Sequence, residues 1–174
     1  MSIREILKSI NDELDENTNM ILANTVLTFS DLITNRKTDY KFDLDKFTQI
    51  SGKTGIYVQY AYVRARKLIQ NSNTNIDDGN LDVSEIDDKD ENLLREFLKF
   101  EHTFNQALNN NEPHHLADYL YELSSVFNSM YQNVNILENK NEVIKLNKLK
   151  LTKHFMNYSK LIMQSLGIQP IEKM

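Results

Sequence analysis

No cysteine occurs among the 174 residues, so thiolate nucleophiles, disulfides and sulfur-ligated zinc are excluded together. Four histidines remain: His102, His114, His115 and His154. The pair His114-His115 is the candidate for a metal, but neighbours on a helix point about 100° apart, whereas two ligands on one face need i, i+3 or i+4 spacing. Local capping or packing at a helix start is the competing reading. The carboxylates between Asp77 and Glu91 lack the alternation and the glycine position of a calcium loop, and a solvated loop is the simpler reading. A glycine-rich phosphate loop, a nucleophile-elbow serine and an H-E-x-x-H helix are all missing. No catalytic residue, metal ligand or cofactor is therefore assigned to this chain.

The stretch from Gly55 to Lys67 is more informative, because as a helix it has two different faces. Val58, Ala61, Ala65 and Leu68 can pack inward. Tyr57, Tyr60, Arg64 and Lys67 fall at i, i+3, i+7 and i+10, bringing aromatic rings and cations onto one surface. Such a surface stacks unpaired bases and holds phosphates, the usual way single-stranded RNA loops are read. The alternative is that the tyrosines are core residues and the cations are solvated. Lys140, Lys145, Lys148, Lys150 and Lys153 make the start of the last helix basic, either another phosphate contact or a solvated face.

A net charge of −5 argues against a nucleic-acid partner until its distribution is considered. Ten acidic residues lie between Asp77 and Glu101 against Lys89, Arg95 and Lys99, leaving the rest of the chain at +2. Hydrophobic residues are 40% and charged residues 26% of the chain, with no apolar run near the roughly 18 residues of a membrane span. The N-terminal MSIREILKSINDELDEN lacks the order of a secretory signal. A cytoplasmic protein without a membrane partner is expected.

Positioning these side chains falls to helices. Only four Gly and two Pro occur, and apolar residues recur at three and four rather than two, which predicts an all-α helical bundle. A first helix is predicted over Ile3 to Leu14 with a capping box from Ser2 and Glu5. A second carries Met20, Ile21, Val26, Phe29 and Ile33. Residues 35–43 read as an extended linker into a turn or helix at Leu44 to Phe47. A third helix covers Thr54 to Ile69, followed by a loop from Asn71 to Asp82. A fourth has Leu94, Phe97, Phe104 and Leu108 on one stripe and ends at Asn109-Asn110-Asn111. Pro113 opens the fifth, with Leu116, Tyr119, Leu120, Leu123, Val126, Phe127 and Met130 inward. The last, with Leu151, Phe155, Tyr158 and Ile162, stops at Gly167.

Several of these segments are also recognisable as family motifs. Asp39-Tyr40-Lys41-Phe42-Asp43-Leu44-Asp45 and Gly52-Lys53-Thr54-Gly55-Ile56-Tyr57-Val58-Gln59-Tyr60-Ala61-Tyr62-Val63-Arg64 resemble arginine–tRNA ligases. So do Pro113-His114-His115-Leu116-Ala117-Asp118-Tyr119-Leu120-Tyr121-Glu122-Leu123, Phe127-Asn128-Ser129-Met130-Tyr131 and the ending Leu166-Gly167-Ile168 to Met174. The resemblance covers about Asn24 to Met174 and implies the helical bundle with which class I synthetases bind anticodons. It implies a division into residues 1–35, helices that follow a catalytic domain, and residues 36–174, the anticodon-binding domain.

The family's ligation of arginine to tRNA, with ATP and magnesium, resides in a catalytic domain whose histidine-bearing and lysine-bearing signatures do not occur here. Met1 accordingly reads as an artificial or alternative start, and the chain alone is expected not to catalyse. The partners implied are tRNA-Arg and the parent's catalytic domain, not DNA. Carried over residue by residue, the resemblance implies that Tyr57 and Arg64 line the anticodon-loop site, that Asn128 and Tyr131 lie at the base-binding surface, and that Met174 adds an apolar contact. The sequence departs from the pattern at Gln70, where a basic residue often stands, and in the acidic tract from Asp77 to Asp90. A second expectation is a stand-alone relative that docks a protein partner through its helical surface, favoured by the net charge and that tract.

Overall fold

Short oxygen-bearing side chains set the helix starts, because the first N–H groups of a helix have no carbonyl partner within it. The structure is a computed structural model that describes residues 2–10, 14–76, 79–132 and 135–174. In it Ser2 and Glu5 exchange hydrogen bonds at the start of α1 (Ile3–Ile10). Asp15 caps α2 (Glu16–Leu32), Asp43 caps α3 (Leu44–Phe47) and Thr54 caps α4 (Gly55–Asn71). Asp87 opens α5 (Asp88–Leu98) with a capping box, reciprocated by Asp90. After α6 (Phe100–Asn110) and α7 (His114–Gln132), Asn141 caps α8 (Glu142–Ser165). No strand occurs among the described residues, so the predicted all-α bundle stands.

Two boundaries differ from expectation. Among the described residues the first helix spans Ile3–Ile10, and Leu14, its predicted last residue, is buried outside any helix; residues 11–13 lie outside the described residues. The predicted fourth helix is two, α5 and α6, which meet at Lys99. There the Lys99 N–H reaches Glu96 O in a tighter three-residue turn, and the Tyr119 hydroxyl donates to the same carbonyl at 3.0 Å. The break turns Phe100 onto Tyr119 and Tyr158, with ring centroids 6.1 and 5.1 Å away. Leu108, on the predicted apolar stripe, is 64% exposed, and Met20 on α2 is also exposed.

The main core gathers Phe29 from α2, Val58, Ala61, Tyr62 and Ala65 from α4, and the apolar stripes of α7 and α8. Phe127 of α7 and Phe155 of α8 stack at 3.9 Å with planes 2° apart, both fully buried. Each such side chain contributes about 1.5–3 kcal/mol by leaving water. The α4 helix also crosses α2 at very short range: a Cβ on Gly55 would meet Thr25 Cγ2 and Thr25 O at 2.8 Å. Glycine there, together with Ala61 and Ala65, lets α4 sink between its neighbours with one face outward. A second cluster around Leu7, Leu22, Val26, Ile56, Val63 and Ile171 joins the N-terminal helices to the C-terminal residues.

Of the five lysines at the basic start of α8, Lys140 is exposed and Lys145 pairs with Glu142, while Lys148, Lys150 and Lys153 bond within the fold. Lys148 is 1% exposed and bonds Asp90 at 2.7 Å and Asp87 at 2.9 Å. Lys150 donates to Gly79 O and Asn80 O, and Lys153 donates to Ile76 O. Asn147 exchanges bonds with both backbone groups of Asp82. These side chains fold part of the acidic tract onto α8, and burial selects the arrangement because a desolvated cation must find acceptors.

Candidate nucleic-acid interface

On α4, Tyr60 and Arg64 are one turn apart, and on α7 so are Asn128 and Tyr131, so each helix presents its pair on one side. The small residues that let α4 pack closely against α7 bring the pairs together. Arg64 Nη1 donates to Asn128 Oδ1 at 3.2 Å, and Nη2 donates to the Tyr60 hydroxyl oxygen at 3.0 Å. The guanidinium carbon lies 4.3 Å from the Tyr60 ring centroid and 5.2 Å from that of Tyr131, within cation–π range of both. Tyr131 in turn packs on Phe127 at 5.9 Å, and Phe127 on Phe155. A file of planar groups thus runs from the bundle core to a half-exposed surface, and core packing fixes its inner end.

Tyr57 is one turn N-terminal to this cluster and half-buried, with its ring 5.3 Å from Tyr121. Lys53 covers Tyr121, its ammonium 5.4 Å from the centroid, and is bound to Asp118 at 2.7 Å. The hydrogen bond to Asp118 holds the Lys53 pKa above the ordinary lysine value. Lys67 is exposed on the same α4 stripe one turn beyond Arg64. Of the seven residues named from sequence, Arg64 touches Tyr60, Asn128 and Tyr131, while Tyr57 and Lys67 flank them along α4. Met174 packs instead against the second cluster, whose members on α4 are Ile56 and Val63.

Sequence reasoning passed over Tyr121 and Lys53 as site residues. The signal was present: Tyr121, Ser124, Asn128 and Tyr131 repeat on α7 the i, i+3, i+7, i+10 spacing of Tyr57, Tyr60, Arg64 and Lys67 on α4. The two stripes face one another. Aromatic faces, a guanidinium fork and a buried amide assembled this way can stack bases and contact base edges or phosphates.

Glu112, His114 and His115 are the one group of metal-ligand type among the described residues, with ligand atoms within 4.8 Å of one another. The two rings do not diverge as adjacent helical positions suggest: they overlap at 4.1 Å with planes tilted 36°. Glu112 is held by Lys37 at 2.9 Å, and His115 Nε2 lies 3.2 Å from the other Glu112 oxygen and 3.3 Å from Gln106 Nε2. The hydrogen bond from Lys37 keeps the Glu112 carboxyl below its ordinary pKa. The cluster closes the turn before α7.

The DALR anticodon binding domain family matches residues 58–174. An arginine–tRNA ligase of Vibrio campbellii is 32% identical over 174 residues, 98% of this chain and 30% of that relative. One of Histophilus somni is 39% identical over 149 residues, 84% of this chain and 26% of that relative. Among solved structures, the arginyl-tRNA synthetase of Thermus thermophilus superposes with a TM-score of 0.87 at 25% identity, over 99% of this chain and 30% of that one. That of Plasmodium falciparum gives 0.81 at 32% identity, over 99% and 31%. The chain spans about 30% of the length of the relatives it matches over nearly its whole extent.

Proposed function

The chain belongs to the DALR anticodon-binding domain family in the form carried by arginine–tRNA ligases, and from that premise we propose that it binds the anticodon loop of tRNA-Arg between the facing stripes of α4 and α7. The observation that carries this reading is Arg64, held by Tyr60 and Asn128 and set against two tyrosine rings on a half-exposed surface. Tyr57, Tyr60 and Tyr131 supply faces for unpaired bases, each stacked base being worth about 1–3 kcal/mol. Arg64 and Asn128 supply polar edges, and Lys67 a phosphate contact. Met174 adds an apolar contact from the neighbouring cluster. Stacking is blind to base identity, so discrimination falls to Arg64 and Asn128.

In this reading the chain holds the tRNA while a catalytic domain of the parent ligase, using ATP and magnesium, attaches arginine. It binds neither cofactor itself and works in the cytoplasm with the tRNA pool. No helix among the described residues is long and apolar enough to cross a membrane. The acidic tract that favoured a protein partner instead is neutralised in part from within, Asp87 and Asp90 being spent on Lys148. The test is a binding comparison at moderate salt between the tRNA-Arg anticodon stem-loop and the same stem with an altered loop. A clear preference for the native loop is expected; equal binding of the two overturns the proposal.

A further inference from the structure

The Gln59 side chain is 0% exposed and sits one residue before Tyr60 on α4. Its amide Nε2 donates to Thr25 Oγ1 of α2 at 3.0 Å and to the Gln169 carbonyl at 2.8 Å. Its Oε1 accepts from the Ile171 N–H at 3.1 Å. The amide thus bonds the C-terminal segment as a neighbouring β-strand would, through one carbonyl and one N–H two residues apart. Two turns further along the same side of α4, Arg66 donates to Glu172 O at 3.1 Å and pairs with the Glu172 carboxylate at 3.2 Å. The chain reaches this course by turning at Gly167, φ +73°, and it buries Ile168 and Ile171.

We infer that Gln59 is a positioning residue for RNA binding: it fixes the register of residues 169–171 along α4 and so places the terminal Met174 beside the base-reading stripe. The inference rests on the reading proposed above. Met174 packs against the cluster that contains Ile56 and Val63, and these are the i−4 and i+3 neighbours of Tyr60. Only an amide meets all three bonds, since they require two donors and one acceptor on a single planar group. A leucine or glutamate at this position loses both donors and leaves the Gln169 carbonyl without the partner it has here, and leucine also leaves the Ile171 N–H without one.

Hydrogen exchange of the tail and a double-mutant cycle together test this. In Gln59→Leu, and in Gln59→Glu as a second variant of similar shape, amides of residues 171–174 should exchange about tenfold faster or more, while α7 and α8 keep their protection. Met174→Ala should weaken binding of the tRNA-Arg stem-loop about tenfold in the unmodified chain and have little further effect in either Gln59 variant. Unchanged tail exchange in a folded variant overturns the positioning role, and so does a Met174→Ala loss of equal size in both backgrounds. If the unmodified chain fails to bind the stem-loop, the functional reading falls and the presentation of Met174 with it. Tail exchange still decides, without RNA, whether Gln59 holds the segment.

Discussion

Substituting Arg64→Lys keeps a positive charge at the centre of the site but removes the planar fork that bonds Asn128 and Tyr60 at once, and the flat face that lies against two rings. The expected outcome is a stem-loop affinity reduced nearly as far as in Arg64→Ala, by about tenfold or more, with the melting temperature within a few degrees of the parent. Fluorescence anisotropy beside a thermal melt reads both. Tyr131→Ala should cost about 1–3 kcal/mol of binding, because it removes a stacking face. It also removes the ring that joins Arg64 to Phe127, so the Arg64→Ala loss should be smaller in its presence, which a double-mutant cycle would register. The residue types of this site were legible in the sequence: tyrosine, arginine and lysine at helical spacing on α4, and Asn128 with Tyr131 through family resemblance. Tyr121 was equally legible in type, but its partnership with Tyr57 needed the distance between two helices.

Helix identity followed from caps and apolar periodicity, whereas helix depth followed from contacts that periodicity does not contain. Gly55 is the clearest case. Within its helix any residue serves at that position, yet Thr25 and Phe29 of α2 leave no room for a Cβ. Gly55→Ala should lower stability by about 1–3 kcal/mol in urea titration and weaken RNA binding too, since pushing α4 outward separates its stripe from that of α7. The start of α8 teaches the same lesson with charge. Five lysines read alike in sequence, but Lys148 is a buried partner of Asp90 and Asp87, while Lys150 and Lys153 bond backbone carbonyls of the preceding segment. Lys148→Met should destabilise the fold by about 3–5 kcal/mol, because Asp90, 1% exposed, would lose the cation bonded to its Oδ1. Little loss in a urea melt would mean that the acidic segment does not depend on this pair.

Across the whole molecule, the depressed carboxylates determine how stability responds to acid. Burial alone would push the Asp87 carboxyl up, but the hydrogen bond from Lys148 and those from the Asp90 and Lys89 N–H groups outweigh it, leaving the group below its ordinary 3.8. Asp15, bonded by the Thr18 N–H, and Glu112, bonded by Lys37, are likewise lowered. A carboxylate with a lower pKa folded than unfolded contributes stability above its unfolded value and loses it as pH falls through the folded one. The melting temperature should therefore hold between about pH 5 and 7 and fall steadily below about pH 4. A profile that instead rose on acidification would contradict these pairings. By itself the sequence determined what local chemistry can determine: that the chain is helical, where most helices start, which faces are apolar, which residue types could meet RNA, and through its motifs the family. The tertiary structure alone decided which charges are spent internally, where α5 and α6 part, how closely α4 approaches α2, and that Gln59 ties the C-terminal residues to the reading helix. Those outcomes depend on distances between residues far apart in the chain, and burial sets their energies. Neither quantity is a function of spacing along a single helix.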